Sequence, residues 1–91
     1  MAGVMSGLGY ELVLSEAAVF RLVAASKAGQ RRIGRLLDRI KSEPFQAGDL
    51  HESDADGRVH EIVLDGDWLV TFWTDHAAKE VRVVRIEEVN D

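Results

Sequence analysis

The sequence predicts an α+β domain in the order β-α-α-β-β-β, in which a helical hairpin packs on one face of a four-stranded, mainly antiparallel sheet. Three features predict this fold. The second half of the chain contains three β-prone runs separated by two turns, the first half contains two helical segments, and a short alternating run precedes them. We expect one domain over residues 10–89, after a Gly-rich, flexible leader at residues 1–9.

The three β-prone runs form a predicted β-meander. Arg58–Leu64 and Trp68–Thr74 are rich in β-branched and aromatic residues, and they flank Asp65-Gly66-Asp67, where Gly easily takes the positive φ of a tight turn. Glu80–Glu87 follows the longer polar turn Thr74–Lys79. The opposite face of the resulting sheet is expected to be open.

The first strand and helix are predicted at the start of the domain. Tyr10–Leu14 alternates in polarity, and Ser15 can cap a helix over Glu16–Ala25 by accepting hydrogen bonds from free backbone N–H groups. One side of this helix is apolar and is expected to lie on the sheet: Val19, Phe20, Val23 and Ala24.

The second helix has the clearest periodicity in the chain. It is predicted at Ala28–Lys41 and ends before Pro44, which disfavours helical geometry at the preceding residue. Its apolar residues recur at i, i+3, i+4 and i+7: Ile33, Leu36, Leu37 and Ile40. An irregular acidic connection at residues 45–57 should follow, with Phe45 and Leu50 anchored in the core.

Charge is distributed unevenly along the chain. The net charge is −5, but residues 1–42 carry seven basic and three acidic residues, whereas residues 43–91 carry four basic and thirteen acidic residues. An acidic protein is not a general nucleic-acid binder, although a local basic face can still bind a polyanion. The chain has no cysteine and no long apolar run, so we expect a cytoplasmic protein without disulfides or membrane spans.

The sequence resembles the RelE/ParE superfamily, the toxins of bacterial type II toxin–antitoxin modules, also called plasmid stabilisation proteins. The resemblance covers residues 10–89. It depends on the element order, on the hairpin KAGQRRIGRLLDRIKSEPF, and on GDWLVTFWTDH followed by EVRVVRI. It implies a small toxin of the same fold, neutralised by a cognate antitoxin, that acts either on mRNA at the ribosome or on DNA gyrase.

The chain departs from the ribonuclease branch of that superfamily at two places. In that branch an Arg follows the Gly-Asp-aromatic turn, whereas Leu69 follows Gly66-Asp67-Trp68 here. A second Arg and often an aromatic residue follow the last strand in that branch, and residues 86–91 contain neither. The resemblance therefore implies a toxin that lacks most of the standard ribonuclease residues.

Metal-independent RNA cleavage needs a base, an acid and cations around the phosphorane, and one group of side chains matches these requirements. His60 with Arg58, Arg82 and Arg85 is this candidate catalytic set. Arg58 and His60 should share one face, whereas Arg82 and Arg85 should point to opposite faces of a regular strand. The alternative interpretation is that all four are ordinary solvated cross-strand partners.

No metal or cofactor is expected. Asp75-His76 is best explained by turn chemistry. The acidic segment lacks the spacing of a calcium loop, so a structural role is the simpler interpretation of its members: Asp49, His51, Glu52, Asp54 and Asp56.

Two further features indicate contact with a partner. Arg31, Arg35 and Arg39 recur at near-helical spacing on the polar side of the second helix, where they would meet a polyanion or an acidic antitoxin, unless they are simply solvated. Trp68 and Trp73 lie an odd number of residues apart, so Trp68 is assigned to the core and Trp73 to the open face with Leu69 and Thr71.

The leading hypothesis is a toxin-like protein that acts by binding and is matched by an antitoxin. The main alternative is a non-enzymatic interaction domain of the same fold, such as a degenerate toxin or a homodimer that pairs through Trp73 or an edge strand. The third is a divergent endoribonuclease that uses His60.

Overall fold

The computed structural model of the chain describes residues 9–45 and 48–89, and in these residues the chain forms two helices and five strands. The elements are β1 (Glu11–Leu14), α1 (Glu16–Ala24), α2 (Lys27–Ser42), β2 (Leu50–Ser53), β3 (Val59–Asp65), β4 (Trp68–Asp75) and β5 (Glu80–Glu88). The sheet order is β1-β5-β4-β3-β2, in which β1 pairs parallel with β5 and all other pairs are antiparallel. The predicted fold class is confirmed; the predicted leader lies outside the described residues except for Gly9.

The prediction of an irregular connection after α2 is wrong in part, because strand β2 lies within it. Residues Leu50–Ser53 pair antiparallel with β3, and all four are exposed. An edge strand with both faces in solvent needs no alternation of apolar and polar residues, so the sequence carries no period-2 signal there. The expected core anchors are also wrong, since Phe45 is 68% exposed and Leu50 is 51% exposed.

The core lies between the helices and one face of the sheet. Helix α2 buries the four apolar residues that its periodicity indicated, all at most 5% exposed: Ile33, Leu36, Leu37 and Ile40. The sheet contributes its own buried row: Val63, Trp68, Val70, Phe72, Val81, Val83 and Ile86. The assignment of Trp68 to the core is confirmed. No helix in the described part of the chain is long and apolar enough to cross a membrane.

Helix α1 packs through a different side from the one predicted. Its cap is as expected, since the hydroxyl of Ser15 accepts a hydrogen bond from the backbone N–H of Ala18 at 3.1 Å. The same hydroxyl donates to the carbonyl of Val84 at 2.7 Å, which fixes how the helix leaves the sheet. The inward residues are Ala18, Leu22 and Ala25, and the predicted inward residues are exposed: Val19, Phe20, Val23 and Ala24.

The reason for the error is that α1 has two adjacent apolar stripes. Hydrophobic periodicity alone does not show which stripe is buried, because both stripes have the spacing of a helix face. The tether at Ser15 turns the smaller residues toward the sheet, which brings α1 close to β5. The larger stripe is left on the surface.

Strand β5 contains a β-bulge at Val84. Thr71 pairs with Arg85 and Phe72 pairs with Val83, so Val84 is an extra residue. We call the side of the sheet turned away from α1 and α2 the open face. The extra residue shifts the alternation of side chains along β5 by one position. Arg82 and Arg85 therefore both lie on the open face, opposite Trp73 and Thr71. The expectation that these arginines point to opposite faces is therefore wrong.

Candidate functional site

The open face collects the predicted catalytic set on three neighbouring strands. His60 lies on β3 and pairs with Glu52 of β2, while Arg82 and Arg85 lie on β5. Trp73 lies between these strands on β4, on the face predicted for it. The fold thus brings the predicted residues together, and the bulge is what adds the second arginine of β5.

Trp73 is the centre of a cation–π cluster. The guanidinium of Arg58 lies 4.1 Å from the centroid of the indole ring, and that of Arg82 lies 5.9 Å away. Such contacts contribute about 0.5–1 kcal/mol at exposed positions. The indole is therefore partly covered by the chain's own arginines.

Each arginine of the open face also has a carboxylate partner. Arg58 lies 3.8 Å from Asp54, and Arg82 lies 3.6 Å from Glu80. Arg85 is held most firmly: its guanidinium donates to Glu52 at 3.1 Å and to Glu87 at 3.3 Å. The hydrogen bond that Arg85 donates to Glu52 is the main cause that raises the pKa of Arg85.

This pairing decides what the open face can do chemically. Stabilisation of a phosphorane requires cations that are available to the phosphate. Here the three guanidinium groups are matched by four carboxylates in the ion pairs just described, so the field at the face is largely cancelled. Of these partners, Glu52 could not be placed from the sequence, because it belongs to strand β2, which was not predicted.

His60 is poorly placed for proton transfer to a substrate. The residue is 8% exposed, and its Nε2 atom lies 3.2 Å from Oδ2 of Asp54 without hydrogen-bond geometry. Asp54 is itself occupied, since Oδ1 accepts hydrogen bonds from the backbone N–H groups of Asp56 and Arg58, both at 2.9 Å. The bond from Arg58 is the main cause that lowers the pKa of Asp54.

Three carboxylates in and beside the β2 region accept hydrogen bonds from the backbone. Besides Asp54, the carboxylate of Asp49 accepts a hydrogen bond from the backbone N–H of Leu64 at 2.9 Å, and Glu61 accepts one from Gly48 at 2.7 Å. Within residues 9–45 and 48–89, no cluster of three or more His, Asp or Glu side chains has the arrangement of a metal site.

The predicted turn role of Asp75 is confirmed, because its carboxylate accepts a hydrogen bond from the backbone N–H of Ala78 at 3.1 Å. His76 has packing partners instead of a metal-ligand arrangement. Its Nδ1 atom lies 2.7 Å from the hydroxyl of Tyr10, and its ring stacks on Phe45 with centroids 4.8 Å apart.

The outer side of α2 is a basic surface of a different kind. We call its exposed cations the basic row: Lys27, Arg31, Arg32, Arg35 and Arg39. Among the described residues none of them forms an ion pair, and Asp38 is the one acidic residue of the helix. The basic row therefore projects positive charge into solvent, whereas the arginines of the open face do not.

No protein-family profile matches the sequence, and no curated protein matches it in sequence. The structure, in contrast, is similar to chains of two solved complexes. One is the archaeal RelE–RelB complex from Pyrococcus horikoshii OT3, with a TM-score of 0.70 at 18% identity over 89% of this chain and 96% of that one. The other is the toxin–antitoxin complex RelBE2 from Mycobacterium tuberculosis, with a TM-score of 0.65 at 13% identity over 87% and 96%. The chain therefore has the RelE-like fold.

Proposed function

We propose that this chain is the toxin-like component of a type II toxin–antitoxin module, neutralised by a cognate antitoxin, and that it acts by binding its target. The observation that carries the proposal is the likeness in fold to chains of two such complexes, which extends over 89% and 87% of the chain.

Binding is favoured over RNA cleavage by the chemistry of the open face. The candidate base His60 is 8% exposed, and the three arginines beside it are each paired with a carboxylate. A ribonuclease would need both the base and the cations to reach the scissile phosphate. Here the base is buried beside Asp54, and each arginine would have to give up a carboxylate partner to meet the phosphate.

The basic row supports a polyanionic target. Arg31, Arg35 and Arg39 are exposed on one helix and have no ion-pair partners among the described residues. Unpaired arginines neutralise phosphates and release counterions, so binding should weaken steeply with salt. The ribosome with its mRNA and DNA gyrase working on DNA both satisfy this requirement.

Induced expression in a bacterial host tests the proposal. We expect growth to stop together with either protein synthesis, followed by pulse labelling, or plasmid supercoiling, followed on chloroquine gels. Changing Arg31, Arg35 and Arg39 together to Glu should abolish the arrest, whereas the matched triple change to Lys should retain it, because Lys also neutralises phosphates. Unimpaired growth, translation and supercoiling on expression of the wild-type chain would overturn the proposal.

A His60→Gln variant separates binding from cleavage. If the chain acts by binding, this variant should arrest growth as the wild type does, and RNA from induced cells should show no cuts that depend on His60. Cleavage that disappears in His60→Gln would show that the chain is an endoribonuclease.

A further inference from the structure

Helix α1 carries an exposed apolar stripe that the core does not use. Val19, Phe20 and Val23 are 44%, 70% and 69% exposed. Single exposed apolar residues are common on proteins, but three adjacent ones on a nine-residue helix form a contiguous patch, and such patches mark interaction sites.

The stripe continues into a groove between α1 and strand β5. Strand β1 ends at Leu14, opposite Val83, so the rest of β5 is bordered by α1 and not by a strand in the described part of the chain. The groove has a volume of about 560 Å³, and Phe20 forms part of its wall. Ala17 and Ala24 provide space on the helix side, and Arg85 and Ile86 line the strand side.

The charge of the groove favours an acidic occupant. Arg21 is exposed, lines the groove and has no ion-pair partner among the described residues. Arg85 also lines the groove, but its charge is already matched by Glu52 and Glu87, and Glu87 is the one acidic residue of the lining. An occupant with a carboxylate would therefore gain a partner at Arg21 and face no uncompensated negative charge.

We infer that the stripe of Val19, Phe20 and Val23, together with the α1–β5 groove, docks a segment of the antitoxin that carries both apolar side chains and carboxylates. The inference rests on the proposed function for the identity of the partner. Nucleic acid fits poorly, because Phe20 is the one aromatic ring of the stripe and the two valines beside it offer no stacking surface to bases. An anionic membrane fits poorly as well, because Arg21 is the one cation of the groove lining without an ion-pair partner among the described residues, whereas binding to anionic lipid relies on a cluster of several basic residues.

Two matched substitutions test the docking site. Val23→Asp and Val59→Asp make the same change at exposed valines, 69% and 50% exposed, but Val59 lies on β3, outside the stripe and the groove. The probe is the purified protein encoded by the gene next to this one, titrated calorimetrically into the full chain. Val23→Asp should weaken binding by at least about tenfold, and Val59→Asp by less than about twofold.

Two further variants complete the experiment. Arg21→Glu should weaken binding by about fivefold at low salt and by less at high salt, because an exposed charge pair is screened. Val23→Ala removes apolar surface without adding charge and replaces Val23→Asp if that variant does not fold. It should weaken binding by about threefold or more.

The outcomes separate this inference from the proposed function. If the neighbour-encoded protein relieves the growth arrest but binds Val23→Asp as tightly as wild type, the docking site is wrong and the toxin proposal stands. If that protein does not bind the wild-type chain, the docking inference is overturned, and the growth assay judges the toxin proposal separately. Self-association or binding to phosphatidylglycerol vesicles that Val23→Asp abolishes would assign the stripe to another occupant and overturn the inference.

Discussion

Deletion of Val84 should leave the fold intact, although it removes a residue from the middle of strand β5. With Val84 absent, Val83 still faces Phe72 and Arg85 still faces Thr71, because these pairs exist already and Val84 is the residue between them without a partner. The deletion therefore converts a bulged strand into a regular one and moves no side chain to the other face.

The expected cost of this deletion is small. It removes the hydrogen bond from the Ser15 hydroxyl to the Val84 carbonyl, worth about 1 kcal/mol, and the partial burial of one valine, worth about 1 kcal/mol. A loss of about 2 kcal/mol in a domain of this size lowers the melting temperature by roughly 8–16 °C. The protein should remain folded at room temperature.

Deletion of Thr71 in the facing strand is the matched control. Strand β4 has no extra residue to absorb the loss, so either Phe72 or both Trp68 and Val70 must leave the core face. Loss of a buried Phe alone costs about 3–5 kcal/mol. Thermal and urea unfolding followed by circular dichroism measure both variants, and a Val84 deletion as unstable as the Thr71 deletion would refute the interpretation of the bulge.

Three further predictions concern local contacts. The hydrogen bond from the backbone N–H of Arg58 is the main cause that lowers the pKa of Asp54 below 3.8. Ionised Asp54 therefore stabilises the fold above that pH, and this stabilisation is lost as the pH falls below it. Asp54→Asn should flatten this dependence of the free energy of unfolding on pH, measured by urea titrations between about pH 4 and pH 2. Gly48→Ala should detach β2, because a Cβ atom would lie 2.7 Å from the backbone nitrogen and oxygen of Ile62, and faster amide hydrogen exchange confined to β2 would show it. Ser15→Ala should lower the free energy of unfolding by about 1–2 kcal/mol, measured by urea denaturation, because the helix cap and the hydrogen bond to the Val84 carbonyl are lost together, and unchanged stability would argue against both contacts.

The sequence predicted those parts of the fold in which the order of apolar and polar residues within a single segment shows which side is buried. Helix α2 shows a complete 3.6-residue period, and the meander shows β-prone runs separated by turn residues, so both were placed correctly. The spacing of Trp68 and Trp73 likewise determined which indole enters the core, because side chains alternate along a strand.

Tertiary structure alone decided the features that depend on a partner element. The choice between the two stripes of α1 depends on the tether from Ser15 to β5, and the bulge at Val84 exists only in the register with β4. The ion pairs of Arg85 and Arg58 depend on the β2 region, because Glu52 lies on this edge strand, which has no periodic signal, and Asp54 directly follows it. Local periodicity fixes which face of an element is apolar, whereas the neighbours in space fix which apolar face is buried and which charge is cancelled.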